Sequence, residues 1–136
     1  MPKVPGVVLD VYGPVAVLRL DGEGPAALRP RLARLLPPLL APLGVQTLYE
    51  RSPERSGAAE PLLFGPPPPE ELVVREHGVP FLVDVVRGQK TGHFLDMREG
   101  RLLVRQIAAG LSVWNGFCYT GGFSLQAALG GARSVV

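Results

Sequence analysis

The sequence predicts an α+β domain followed by the truncated start of an α/β domain. Three observations carry this. β-Branched runs with turn residues between them open the chain and lead into a leucine-periodic helix. A proline-rich stretch with no periodicity follows. Near the end, an apolar strand, a glycine pair, a short helix and a new strand succeed one another, which is the order of a βαβ unit. Boundaries are expected at 1–69 for the first domain with its linker, 70–87 for a hairpin, and 88–136 for the second domain.

Val7–Val11 and Val15–Leu20 read as a hairpin around Tyr12-Gly13-Pro14. From Ala26 to Leu43, Leu28, Leu32, Leu35, Leu36, Leu39, Leu40 and Leu43 recur in steps that mark an amphipathic helix. Pro37-Pro38 should kink or end it. Val45–Tyr49 is a short strand. Residues 51–70 read as loop and linker, with the run Gly65-Pro66-Pro67-Pro68-Pro69. Leu72–Glu76 and Val79–Val85 form a second hairpin about His77-Gly78. Gly88–Gly92 is a loop. Phe94–Ala109 is a helix with Leu95, Leu102, Leu103 and Ile107 on one face, capped by Gly110. Leu111–Phe117 is a strand, Phe123–Leu129 a helix, and Ser134–Val136 the beginning of another strand. An unpaired edge there is an aggregation risk.

Composition excludes several classes. Of 136 residues 46% are hydrophobic and the net charge is only +2, too apolar and too neutral for a disordered chain. The 17 Gly and 15 Pro lack a collagen period. One cysteine cannot make an internal disulfide. No uninterrupted apolar run suits a membrane span, and the first residues have no signal-peptide core. A reducing cytoplasm is the expected compartment. Only Lys3 and Lys90 are lysines, and the remaining basic residues are arginines, which suit phosphate but also follow from codon bias in an Ala/Arg/Pro/Leu-rich chain.

The densest motif is Asn115-Gly116-Phe117-Cys118-Tyr119-Thr120-Gly121-Gly122-Phe123-Ser124. A glycine pair between strand and helix permits a tight turn and close approach to a ligand, and the helix start offers free N–H groups to an anion. A purely structural turn is the alternative for the glycines alone. The full string resembles the cofactor loop of class I methyltransferases that use S-adenosylmethionine. In particular it resembles the F-x-Y-T-G-G-F signature of the large-subunit rRNA cytosine-C5 methyltransferase family. Gly88-Gln89-Lys90-Thr91-Gly92-His93-Phe94-Leu95-Asp96-Met97-Arg98-Glu99 is similar to that family's G-Q-K-T-G-x-F-L-D-Q-R-E-N. Pro5–Gly13 looks like its L-P-G-L-V-V-D-x-Y-G, and Leu48-Tyr49-Glu50-Arg51-Ser52 fits its central domain.

The resemblance implies an α+β central domain followed by the truncated start of a Rossmann-like methyltransferase domain. It implies S-adenosylmethionine as cofactor and ribosomal RNA as the partner of a longer parent enzyme. Phe117, Cys118, Tyr119, Thr120, Gly121 and Gly122 would line the methionine and ribose part of the cofactor. Lys90, Thr91 and Arg98 would sit near the same pocket, where a cation would partner the methionine carboxylate. For Lys90 and Arg98, solvated surface charges are the alternative. The family's cysteine nucleophile lies downstream of these motifs, so Cys118 is expected to fill a small space in the loop. No catalytic residue is assigned. His77 in a turn and an exposed His93 make no metal set with it, and no metal is expected.

The sequence departs from the family pattern at four places. Met97 stands for Gln, Gly100 for Asn, Gly116 for a larger apolar residue and Trp114 for Leu. An acid expected roughly 20 residues past the glycine turn to hold the ribose is not reached within the fourteen residues after Gly122. The chain alone is therefore expected to be inactive, with weak or no cofactor binding. A methyltransferase with another RNA or protein target, and a non-enzymatic RNA-binding module, are the rival readings. A homodimer is left open.

Overall fold

The computed structural model describes residues 4–52 and 60–136. It divides into two compact units: Met1–Val74 with Leu82–Gly92, and Arg75–Phe81 with His93–Val136.

The first unit is a four-stranded sheet and its helices. Strands β1 (Val7–Tyr12) and β2 (Val15–Leu20) form the antiparallel hairpin expected from their valine content. Gly13, at φ 58°, makes the turn. Helices α1 (Glu23–Ala27) and α2 (Arg29–Leu40) then cross over to β3 (Thr47–Glu50), which pairs with β2 in parallel. Strand β4 (Leu62–Phe64) closes the order β1-β2-β3-β4, antiparallel to β3. It lies inside the stretch read as loop, and residues 53–59 of that stretch lie outside the described residues.

Strand β2 is central and its two faces serve two cores. Ala16, Leu18 and Leu20 pack with Leu40, Val45 and Leu48, against which Leu32 and Leu36 of α2 also rest. Val15 and Val17 pack on the opposite face with Tyr12, Leu72, Val83 and Val85. The period-2 alternation of a strand produces this division.

Pro37 and Pro38 sit inside α2 rather than ending it. Each forgoes a helical N–H donor, yet burial of Leu40 and packing of Leu32 and Leu36 keep the chain helical across them. A 3-10 turn, Ala41–Leu43, follows, and Gly44 at φ 79° stops it. The apolar stripe is also narrower than the leucine spacing suggests, because Leu35, Leu39 and Leu43 face solvent.

Strands β5 (Leu72–Glu76) and β6 (Val79–Val83) form the second hairpin, and the division between units crosses it. His77 and Gly78 both take positive φ, 48° and 81°, as a tight two-residue turn requires.

In the second unit, the helix expected over 94–109 begins with a 3-10 turn, Leu95–Met97, and continues as α3 (Arg98–Ile107). Its buried residue is Arg101, while Leu103 and Ile107 of the supposed core face are exposed. Strand β7 is only Ser112–Val113, shorter than expected, although the Asn115 N–H still donates to the Val136 carbonyl, and the backbone turns to φ 58° at Phe117. Helix α4 (Gly122–Leu129) crosses over to β8 (Ser134–Val135), which pairs with β7 in parallel, Ser112 with Ser134 and Val113 with Val135. The βαβ order read from the glycine pair is thus present. Gly130, which ends α4, packs closely on α3: a Cβ there would lie 2.1 Å from the Arg105 carbonyl oxygen. Among the described residues no helix is long and apolar enough to cross a membrane.

Candidate cofactor loop

The segment between β7 and α4 holds five of the nine candidate residues, Phe117 to Gly121; Gly122 opens α4, and Arg98 lies in the same unit. Phe117, Tyr119 and Gly121 take φ of 58°, 49° and 71°. Every second residue of the loop is therefore left-handed, and the chain coils back on itself before the helix. The Gly121 N–H donates to the Cys118 carbonyl at 2.8 Å, and the Leu125 N–H donates to the Gly121 carbonyl at 2.8 Å, the first bond of α4. The preceding amides of the first turn have no carbonyl one turn earlier in the helix. A Cβ at Gly121 would meet nothing within 4 Å, so this corner is open.

Side chains tie the loop at both ends. Asn115 Nδ2 donates to Ser124 Oγ at 2.8 Å, joining the strand end to the first turn of α4. The Tyr119 ring meets Phe94 edge-on, with centroids 5.6 Å apart. Phe117 is fully exposed. Cys118 is exposed too, so it does not fill the small space expected of it. Two departures from the family pattern meet here: the exposed Trp114 ring lies over Gly116, where a Cβ would fall 2.6 Å from Trp114 Cη2. A side chain at 116 would push this exposed ring aside.

Arg98 is exposed at the start of α3, and its Nε donates to His77 Nε2 at 3.2 Å. Beneath it lies a buried polar cluster that sequence reading missed. Arg101 Nε donates to Glu76 Oε1 at 2.8 Å and its Nη2 to Glu76 Oε2 at 2.5 Å. Nη2 also donates to the Phe94 carbonyl at 3.0 Å. Burial on its own raises the Glu76 carboxyl, but the hydrogen bond and charge of Arg101 hold it below the usual carboxylate value. His93 is buried rather than exposed, its ring tilted against Phe81 with centroids 5.2 Å apart. Burial and the nearby Arg101 charge lower its pKa, so its 3.6 Å approach to Glu76 is that of a neutral ring at neutral pH and not an ion pair.

Lys90 and Thr91 belong to the first unit. Lys90 is exposed and takes φ 51° in a turn closed by the Gly92 N–H on the Gln89 carbonyl at 2.8 Å. Thr91 is buried. Its hydroxyl donates to Asp10 Oδ2 at 2.5 Å and lies 2.8 Å from the Tyr12 hydroxyl. With the threonine proton on Asp10, the Tyr12 hydroxyl must be the donor to Thr91. The same unit fixes the stretch before this turn. Arg51 donates to the carbonyls of Val85, Val86 and Gly88. Asp84 accepts the N–H groups of Arg87 and Val86, and these bonds, the Arg87 one foremost, keep its carboxyl below the ordinary value.

Among the described residues no group of three or more His, Cys, Asp or Glu could hold a metal ion. For the cofactor, the observed donor set fits: an open glycine corner, first-turn amides for an anionic group, and exposed aromatic and hydroxyl side chains beside them.

A family model described as S-adenosylmethionine-dependent methyltransferase matches residues 26–136. The chain is 37% identical over 98% of its length to a ribosomal RNA large subunit methyltransferase I of Cronobacter sakazakii, and 37% identical over 97% to one of Shewanella denitrificans. It spans 34% of the length of each of these relatives. Among solved structures, an SAM-dependent methyltransferase from Streptococcus mutans superposes with a TM-score of 0.81 at 31% identity, covering 96% of this chain and 34% of that one. A methyltransferase solved with S-adenosylhomocysteine gives a TM-score of 0.80 at 30% identity, covering 96% and 33%.

Proposed function

Because the chain belongs to the family of S-adenosylmethionine-dependent methyltransferases, we propose that the loop Phe117–Gly122 and the first turn of α4 hold the methionine part of S-adenosylmethionine. The observation that carries this is the open, left-handed corner at Gly121 in front of the free first-turn amides. The amides would take the methionine carboxylate. Phe117, Cys118, Tyr119 and Thr120 would line the pocket, with Tyr119 steadied by Phe94. Arg98 would add a cation at the start of α3. Lys90 and Thr91 are carried as candidates by the G-Q-K-T-G motif. When bound, the cofactor supplies an electrophilic methyl group on sulfur.

The acceptor we propose is cytosine carbon 5 of large-subunit ribosomal RNA. The names of the relatives support the RNA, and the F-x-Y-T-G-G-F resemblance supports the base and atom. The chain spans about a third of those relatives, and no acidic residue lies between Gly122 and Val136 to take the ribose hydroxyls. We therefore expect the 136 residues by themselves to bind cofactor weakly and to transfer no methyl group.

The test uses the product of the open reading frame that contains this chain, with tritiated S-adenosylmethionine and large-subunit rRNA. Label recovered as 5-methylcytosine supports the proposal. Label in another nucleoside overturns the base assignment, and no cofactor binding overturns the loop assignment. Micromolar binding by the 136-residue chain in a calorimetric titration would contradict the expected weakness.

A further inference from the structure

We propose, building on the cofactor-loop reading above, that the buried Glu76–Arg101 pair is a positioning device for the start of α4. Arg101 reaches the loop by two routes. Its stem sits where a Gly122 side chain would go, since a Cβ there would lie 3.0 Å from Arg101 Cδ and 3.6 Å from Phe81 Cε1. Its Nη2 holds the carbonyl of Phe94, the residue whose ring meets Tyr119. One side chain thus touches the first residue of α4 and the brace of the preceding loop.

Glu76 sets where that side chain lies. Two parallel N–H to oxygen bonds fix the guanidinium plane as well as its distance. Both groups are almost fully buried, 3% and 6% exposed. A buried ion pair is poor evidence of stabilisation, because apolar residues of similar volume often do as well. What they would not supply is a fixed fork at Phe94 and Gly122. The pair is also neutral overall, so Arg101 acts on the loop through shape and is not a ligand for an anion.

The experiment is backbone amide exchange on the 136-residue chain. Arg101→Lys keeps charge and stem but loses the fork. It should raise exchange by about tenfold at the hydrogen-bonded Gly121 and Leu125 amides while leaving the middle of α3 protected. Gly122→Ala should raise exchange at the same amides in the wild-type background. It should change them by less than about twofold once Arg101→Ala, paired with Glu76→Gln so that no carboxylate is stranded, has removed the stem. Equal effects of Gly122→Ala in both backgrounds overturn the proposal, as does a uniform rise across α3 and α4 in Arg101→Lys. If the double variant does not fold, the Arg101→Lys pattern decides alone. The cofactor reading is scored separately, by S-adenosylhomocysteine binding to the reading-frame product, and its failure leaves the exchange result standing.

Discussion

Thr91→Val separates two roles for a residue that the motif associates with the cofactor. Valine has nearly the same shape, so no cavity is made, and the change removes a hydroxyl alone. That hydroxyl links Tyr12 to Asp10 by bonds of 2.8 and 2.5 Å in a buried setting. A hydrogen bond to a charged group contributes about 1.5–3 kcal/mol, and an ordinary one about 0.5–1.5 kcal/mol. Because the two overlap, the expected loss is about 2–4 kcal/mol without any cofactor present. Urea denaturation followed by circular dichroism gives the total, and exchange of the β1 and β2 amides locates it in the first unit. A double-mutant cycle with Tyr12→Phe should show coupling of about 0.5 kcal/mol or more. A loss below about 0.5 kcal/mol, or strict additivity with Tyr12→Phe, would refute the reasoning. Thr91 would then serve something other than the attachment of its loop to β1.

Acid should weaken the second unit in two stages. His93 has a folded-state pKa below 6.5, so the unfolded chain binds the extra proton and stability declines as pH falls below about 6.5. Glu76 is likewise depressed, and its contribution is present above about 4.5 and lost as pH falls further. Melting temperatures of wild type and His93→Gln between pH 4 and pH 7.5, on the order of half-unit steps, should differ in the first stage only. Gly130→Ala places a Cβ 2.1 Å from the Arg105 carbonyl oxygen. It should destabilise the second unit by about 1–3 kcal/mol, read from the exchange of α3 and α4 amides. Leu18→Ala, in the buried centre of the sheet, should cost about 2–5 kcal/mol in urea denaturation.

Local features were legible in the sequence, and long-range ones were not. The β1–β2 hairpin follows from adjacent valine runs and a Gly13-Pro14 turn, and the β7–α4–β8 crossover follows from Gly121-Gly122. Strand β4 escaped because a three-residue strand beside a proline run has no periodicity to read. The prolines of α2 misled because packing of Leu32, Leu36 and Leu40 outweighed local propensity. In the candidate site, the loop itself was visible as a string. Its supports were hidden by distance along the chain: Thr91 finds Asp10 and Tyr12 some 80 positions away, and Arg101 finds Glu76 25 positions away. An arginine on a leucine-rich helix reads as surface until its carboxylate is found. His93 misled for the same reason, since a lone histidine beside glycine carries no mark of the Phe81 ring that covers it.

The alternation of left-handed residues in the loop has an energetic side. A side chain held at positive φ, as at Phe117 and Tyr119, costs on the order of 1 kcal/mol or more that glycine would avoid. Phe117 recovers none of it by burial, being fully exposed. Within these 136 residues, glycine at 117 would relieve that backbone cost. A phenylalanine there therefore holds its ring outward at a backbone cost, and Phe117→Gly should stabilise the 136-residue chain by about 1 kcal/mol.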